Sequence, residues 1–272
     1  MLALAAACPA LPVIASAQDS YYQSLRANNA SMTEVQPTWM GPLIQSDGRL
    51  GQSLRFSVSN ANFSGTRTLN YGNGHGVSMI VDRRFQIDLD PPSFFRNHSS
   101  AHPDGFGNAA TQIKYRIASG NAAHGNYAIS AVLFHAFGPR VEQNLMLSQF
   151  YCPSIAAGKG FGRFAVLETI GGLLPTEKIW LQGRAIEWNS TAQMHVTKYT
   201  WMDVEDNAIF FHAGPLDGKT QNMMTPAAFY MIRHPEWKPE HASVVFATGM
   251  QIATSGYHFV NHNLITEMRL TF

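Results

Sequence analysis

The chain has 272 residues, of which 45% are hydrophobic, 11% are aromatic and 14% are charged, with a formal net charge of +1. The charged fraction lies below the roughly 25% of a typical soluble domain, yet no stretch is apolar enough to predict a membrane-spanning helix. A near-zero net charge without a lysine and arginine cluster excludes nucleic acid as an expected partner. Low charge without apolar blocks indicates that hydrophobic and polar residues alternate along the chain.

Residues 1–17 form an apolar segment that ends in Ala15-Ser16-Ala17. This ending is typical of a signal-peptidase site, so we predict a signal peptide, export, and a mature chain that begins near Gln18. A short buried helix is the alternative, because the positively charged start of a signal peptide is missing. Export with cleavage leaves Cys152 as the only cysteine, which excludes an intramolecular disulfide.

Residues 18–49 are polar and are interrupted by Pro37, Pro42 and Asp47-Gly48, so no regular period persists there. We interpret them as an N-terminal segment that lies either in the periplasm or inside a barrel lumen. Residues 50–272 differ, because apolar and polar residues alternate with the two-residue period of β-strands. The two alternatives for residues 18–49 stay open at this point.

The alternating region contains about twelve candidate strands, with roughly ten or fourteen as the alternative numbers. No stretch keeps a helical apolar period over several turns, which indicates an all-β chain. The predicted strands cover residues 54–59, 66–71, 77–90, 109–119, 126–137, 145–157, 161–174, 185–197, 199–211, 221–232, 242–254 and 261–272. Short turns are predicted at 72–76 and 158–160, among others.

Most of these strands have roughly 10 to 13 residues, which matches strands that cross a membrane and is about twice the average in soluble proteins. Counted back from Phe272, the predicted connections alternate between short and long, with 233–241 as an exception on the short side. Outer-membrane barrels have short periplasmic turns and longer outer loops. We therefore predict an antiparallel up-and-down transmembrane β-barrel over residues 50–272.

The last strand assigns the two faces of the sheet. Glu267 lies on the order of 12 Å above Phe272 along a tilted strand, close to the middle of a bilayer. A charge facing lipid there is unfavourable, so Glu267 is predicted to face the lumen. The opposite face of this strand is predicted to face lipid and to form the signal for barrel assembly, and it consists of Leu264, Met268, Leu270 and Phe272.

The same reasoning predicts a lumen lined by charges of both signs. The predicted lumen-lining residues are Arg55, Arg84, Asp88, Lys114, Arg116, Glu187, His195, Asp203, Glu205, Glu267 and Arg269.

The signal-like start, the repeated amphipathic strands and the closing Leu264-x-x-x-Met268-x-Leu270-x-Phe272 resemble bacterial outer-membrane β-barrels. Four further stretches resemble an uncharacterised barrel family named after the MetA pathway of phenol degradation. They are 110–117, 155–164, 249–253 and 257–263, and the resemblance covers residues 75–272. It implies transport of small solutes, including aromatic or hydrophobic ones, and it assigns no catalytic or binding residue.

Two histidine pairs are candidate metal ligands. His98 and His102 are four residues apart with Asp104 nearby, but Pro103 and the surrounding polar residues favour an exposed loop. His258 and His262 lie beside aromatic residues, where interfacial side chains are expected without a metal. We therefore predict no metal site and no cofactor.

An outer-membrane lipid hydrolase is the main alternative function, since such enzymes need a serine and a histidine within hydrogen-bond reach. Ser130 and His135 are the nearest pair, but their odd spacing places them on opposite faces of one strand. The glycines of 74–76 and 158–160 open no helix and therefore favour hairpin turns over phosphate loops.

The sequence thus favours a monomeric channel or transporter in the outer membrane of a Gram-negative bacterium. A hydrolase and a structural barrel with a closed lumen are the alternatives. The expected partners are outer-membrane lipids, the barrel-assembly machinery and a small-molecule solute.

Overall fold

The computed structural model describes residues 23, 27–32, 34–63, 66–72, 74–98, 103–137, 149–177, 183–233 and 242–272. They form a closed antiparallel β-barrel of twelve strands, which confirms the predicted fold class. The signal peptide predicted at 1–17 lies outside the described residues and stays a prediction. Among the described residues, no helix is long and apolar enough to cross a membrane.

The barrel is built from fifteen hydrogen-bonded segments. They are β1 (Ser53–Phe63), β2 (Thr66–Tyr71), β3 (Gly76–Asp82), β4 (Phe85–Asp90), β5 (Phe94–Asn97), β6 (Gly105–Phe106), β7 (Ala109–Gly120), β8 (Tyr127–Phe137), β9 (Phe150–Phe161), β10 (Phe164–Pro175), β11 (Ala185–Thr197), β12 (Thr200–Phe211), β13 (Thr220–Ile232), β14 (Ser243–Ala253) and β15 (His262–Thr271).

Three of the twelve strands consist of two segments each. β2 and β3 both pair with β1, so together they form one interrupted strand. β4 and β5 form the next, and β6 and β7 the one after it. The barrel closes where β15 pairs with β1 over ten residues, from Thr271 opposite Ser53 to His262 opposite Asn62.

The connections differ in length at the two ends of the barrel. At one end, residues 83–84, 162–163 and 198–199 are tight turns, and β7 leads into β8 through a short 3-10 helix at Ala122–His124. We call this the short-turn end, and it also holds the start of β1 and the end of β15. At the opposite, long-loop end the connections are longer, except for the short one between β1 and β2. The connection from β13 to β14 is a long exception at the short-turn end, as the sequence had indicated.

The two faces of the barrel wall have opposite character. Outward side chains are mostly apolar and exposed, as Ile155, Ile170 and Met268 show with 45%, 49% and 47% exposure. Inward side chains include buried polar groups such as Glu205 and Glu267. A soluble barrel would place its apolar residues inside, so this wall has the arrangement of a barrel in lipid.

The turn predicted at 72–76 is wrong. Gly72, Gly74 and His75 lie between β2 and β3, which together form one long strand. The reversal comes at 83–84, inside the strand predicted at 77–90. There Asp82 accepts a hydrogen bond from the main-chain N–H of Arg83 at 2.8 Å. Gly72 has a φ of 97°, which permits the interruption but does not reverse the chain.

The turn predicted at 158–160 is also wrong, because β9 continues to Phe161 and turns at Gly162, whose φ is 63°. Gly158 is needed for a different reason. A Cβ atom there would lie 2.7 Å from the ring of Trp39, which packs against it from inside the barrel. A glycine in a strand can mark such a close approach as well as a turn.

Candidate functional site

Residues 36–50 lie inside the barrel, and we call them the plug. A helical turn at 27–32 precedes them and is held at the short-turn end, where the Asn29 amide donates to the carbonyl of Phe272 at 2.5 Å. The side chains of Ser119 and Asn121 donate to the carbonyls of Val35 and Glu34, both at 2.7 Å. The plug therefore enters the lumen from the short-turn end.

The two ends of the plug are fastened to each other. The Gln36 side chain donates to the carbonyl of Leu50 at 2.6 Å and accepts from the main-chain N–H of Leu50 at 3.0 Å. Leu50 also packs with Met32 and Ile80 in a small buried cluster. The plug thus enters and leaves the lumen at the same end, as a closed loop.

Residues 41–45 form the tip of the plug, and Glu205 binds it. Its carboxylate accepts from the main-chain N–H groups of Leu43, Ile44 and Gln45 at 2.5, 3.1 and 3.3 Å. Successive N–H groups that converge in this way form a concave anion-binding site. Glu205 supplies that anion from the wall strand β12, so the barrel itself holds the tip.

Two arginines bind carbonyl groups on the other side of the tip. Arg55 donates to the carbonyl of Leu43 at 3.2 Å, and Arg269 donates to those of Gly41 and Pro42 at 3.3 and 3.2 Å. Arg55 and Arg269 are direct partners across the β1–β15 closure, and like charges so placed repel. Glu267 offsets the repulsion by pairing with both, at 2.5 Å each.

A third side of the plug lies against β7, β8 and β10. Ser46 donates to the Gln112 side chain, Ser130 donates to the carbonyl of Gly48, and Thr169 donates to that of Ser46, each at 2.7 Å. Further around, the Gln193 amide both donates to and accepts from the main chain of Met40. Wall strands therefore satisfy the plug's backbone on several sides.

Lys114 and Asp47 extend this polar contact. Lys114 donates to the carbonyl of Arg49 at 3.0 Å and lies 3.8 Å from the Asp47 carboxylate, which also pairs with Arg49 at 2.8 Å. Burial acts to raise the pKa of the Asp47 carboxyl, but Arg49 and Lys114 outweigh it, so that pKa lies below its ordinary value. Asp47 therefore remains an anion between the two cations.

Apolar side chains of the plug fill space that small wall residues leave. Leu43 and Met40 join a buried cluster with Trp201, Phe229 and Val245. Leu43 also lies against Gly249, where a Cβ would come 2.7 Å from its Cδ2 atom. On the other side, Trp39 packs with Ala128, Ala165 and Leu167.

Of the residues predicted to line the lumen, four contact the plug directly and a fifth, Glu267, pairs with both arginines that bind its tip. The five are Arg55, Lys114, Glu205, Glu267 and Arg269.

Five more face inward without binding the plug. Asp203 lies beside Gln193, and Asp88 accepts from the Gln86 and Gln112 amides. The other three are placed towards the ends of the barrel. Arg116 donates to the carbonyl of Arg83 and His195 stacks on Trp201, both at the short-turn end, and Glu187 accepts from Asn189 towards the long-loop end.

The prediction for Arg84 is wrong. It lies in the 83–84 turn, is exposed, and donates to the Tyr115 hydroxyl at 3.3 Å, and Tyr115 in turn packs on the outward Phe85. Its prediction as a lumen residue followed from the misplaced turn, because a strand through 77–90 would give Arg84 the same face as Asp88.

The lumen beyond the plug tip becomes apolar towards the long-loop end. Cys152, Leu173, Ala185 and Phe211 form a buried cluster, with Phe134 and Phe150 packed against it. Within the loop that joins β14 to β15, Tyr257 and Phe259 meet the Phe211 ring edge to face, at centroid distances of 5.9 and 6.2 Å. Aromatic surface therefore lines the approach to the plug.

The remaining candidates from the sequence do not assemble a catalytic or metal site in the described part of the chain. Ser130 faces inward and donates to the plug, whereas His135 stacks on Tyr151 on the outer surface. His98 is exposed and His102 lies outside the described residues. His258 contacts Ser255 and Asn261 in its own loop.

No protein-family model and no curated protein matches the chain. Among solved structures, a COG4313 outer membrane channel from Pseudomonas putida F1 aligns with a TM-score of 0.54 and 12% identity, over 86% of this chain and 100% of that one. The NanC porin aligns with a TM-score of 0.52 and 7% identity, over 81% and 98%. The chain therefore has the fold of bacterial outer-membrane β-barrels, as the resemblance implied, whereas membership of the narrower phenol-degradation family stays a prediction.

Proposed function

We propose that this protein is an outer-membrane channel for small solutes, and that the plug closes its lumen. The observation that carries the proposal is the way the plug is held. Side chains of the wall hydrogen-bond to its backbone, Lys114 pairs with its Asp47 side chain, and it enters and leaves the lumen at one end. Such a segment can leave the lumen without unfolding the barrel, and a barrel of twelve strands is wider than one that side chains alone fill.

The barrel wall supports a location in a lipid bilayer, since its outward residues are mostly apolar and its inward residues include many polar ones. We propose that the short-turn end faces the periplasm, after export with the signal peptide at 1–17. Leu264, Met268 and Leu270 face outward on β15 and Phe272 follows it, and their role as a barrel-assembly signal remains part of this proposal. The aromatic lining towards the long-loop end favours solutes with apolar or aromatic parts.

Replacing residues 37–49 with a glycine-serine linker of equal length is expected to convert a closed barrel into an open one. The linker keeps the helical turn at 27–32 and the contact between Gln36 and Leu50, and it removes the plug side chains between those two residues. In planar lipid bilayers, we expect the full chain to show rare conductance steps and the linker variant to conduct steadily.

The control for this experiment is the full chain, purified and inserted at the same protein-to-lipid ratio. Absence of conductance in both forms, with correct folding on a heat-modifiability gel, would contradict a channel. Hydrolysis of bilayer lipid by the full chain would instead support the hydrolase alternative.

A further inference from the structure

A cavity of about 330 Å³ lies beside the plug. It lies between the plug and the wall formed by β1, β3, β4, β7, β13, β14 and β15, and it reaches the short-turn end, where Arg233 and Phe272 line it. Ligand sites usually enclose about 300 to 1,000 Å³, so this one suits a small molecule.

The cavity carries an excess of positive charge. Five cationic side chains line it, and they are Arg49, Arg55, Lys114, Arg233 and Arg269. Asp47 and Asp88 are the carboxylate side chains of the same lining. Asp47 is already paired with Arg49 and Lys114, and Asp88 accepts from Gln86 and Gln112. Glu267 is not part of the lining, but it pairs with Arg55 and Arg269. Five cationic side chains therefore face three carboxylates, which leaves an excess of positive charge for a ligand.

Some donors in this lining have no partner within the described residues. Arg55 bonds to Glu267 and Leu43 through Nε and Nη2, which leaves Nη1 unused, and its side chain is 30% exposed. Arg49 likewise uses Nε and Nη2 for Asp47. Arg233 is exposed and has no carboxylate partner in the described part of the chain. A carboxylate is a group that planar arginine donors match with two parallel hydrogen bonds.

The cavity also has an apolar part. Trp39, Met231 and Val245 line it together with the cations. An inorganic ion would leave this surface in contact with water, whereas an apolar body attached to the anion would cover it. The combined lining therefore selects an amphiphilic anion over a bare one.

We propose that this cavity is a binding site for a small carboxylate with an apolar body, reached from the short-turn end. Arg55 contacts the carboxylate deep in the cavity, and Arg233 attracts it at the mouth. The proposal concerns binding and does not require that the barrel conduct, so a closed barrel in the bilayer experiment would leave it standing.

Calorimetric titration of the full chain in detergent tests the proposal, with benzoate as the anionic probe and benzyl alcohol as its neutral counterpart. We expect saturable binding of benzoate and none of benzyl alcohol in the same concentration range. Arg55→Gln should weaken benzoate binding by about tenfold, because it removes a charge-assisted hydrogen bond. Arg233→Gln should weaken it by a few-fold and does not disturb the Glu267 ion pairs.

Lys198→Gln is the matched control, since Lys198 lies in the 198–199 turn at the same end, over the Tyr199 ring and away from the cavity. Benzoate binding to this variant should equal that of the full chain. The proposal is overturned if benzyl alcohol binds as tightly as benzoate, if neither probe binds, if both arginine variants bind benzoate normally, or if Lys198→Gln weakens binding as much as they do. A heat-modifiability gel identifies any variant that fails to fold, and Arg233→Gln keeps the test decisive if Arg55→Gln does so.

Discussion

Glu205→Ala is expected to raise the open fraction of the lumen by about 100-fold. The carboxylate accepts from three successive N–H groups at the plug tip, and its removal leaves these donors without an acceptor in a buried place. A buried donor without a partner costs about 1 to 3 kcal/mol. Three such donors are therefore expected to destabilise the seated plug by about 3 kcal/mol, the lower end of their combined cost. That loss corresponds to about two powers of ten in the equilibrium between seated and released plug.

Single-channel recording in planar bilayers measures this effect as the fraction of time spent open. Glu205→Gln should be intermediate, because an amide retains one acceptor oxygen and loses the charge. Glu187→Gln is the matched control, since Glu187 also faces inward but bonds to Asn189 and Cys152 and not to the plug. Equal open fractions for Glu205→Ala and Glu187→Gln would show that Glu205 does not hold the plug.

Glu267→Ala is expected to destabilise the folded barrel by about 3 to 5 kcal/mol, the usual cost of removing one partner from a buried ion pair. Glu267 is buried, and it separates Arg55 from Arg269 where β1 meets β15. Without it, two guanidinium groups face each other at the closure of the barrel. They would retain only their bonds to plug carbonyls.

Equilibrium unfolding in urea, with folded and unfolded forms separated on a gel, measures the change. The double variant Arg55→Gln/Glu267→Ala provides the control, because removing one arginine relieves the repulsion. The double variant should therefore be less destabilised than the sum of the two single changes. Strict additivity would contradict the assigned role of Glu267.

The strands of the barrel could be predicted because apolar and polar residues alternate within each strand, independently of the other strands. β11 was predicted at 185–197 and is found at Ala185–Thr197, and the inward positions of Glu205 and Glu267 follow from the same period of two. Their partners could not be predicted. The N–H groups of Leu43, Ile44 and Gln45 belong to an irregular segment, whose backbone direction is set by the wall that surrounds it.

The errors share one physical cause, which is that local pattern does not distinguish close packing from chain reversal. Gly158 lies within a strand, where its lack of a side chain leaves room for the Trp39 ring, yet the sequence pattern around it is typical of a turn. The chain reverses at Arg83 and Arg84, where there is no glycine. The alternation of apolar and polar residues continues across this turn, so the sequence gives no sign of it. For residues 18–49 the sequence left periplasm and lumen open, because a polar irregular segment suits either surrounding.

A cross-link between the plug and the wall tests the central account most directly. Leu43→Cys with Gly249→Cys, in a Cys152→Ser background, places two thiols where a Cβ at 249 would lie 2.7 Å from the Cδ2 atom of Leu43. The control pair is Leu43→Cys with Met250→Cys, because residue 250 lies on the opposite face of β14 from residue 249 and points away from the plug. After mild oxidation in lipid, we predict a disulfide in the first pair, seen as altered gel migration that reductant reverses, and none in the control. A first pair that stays unlinked, or a control that links equally well, would contradict a plug seated in the lumen.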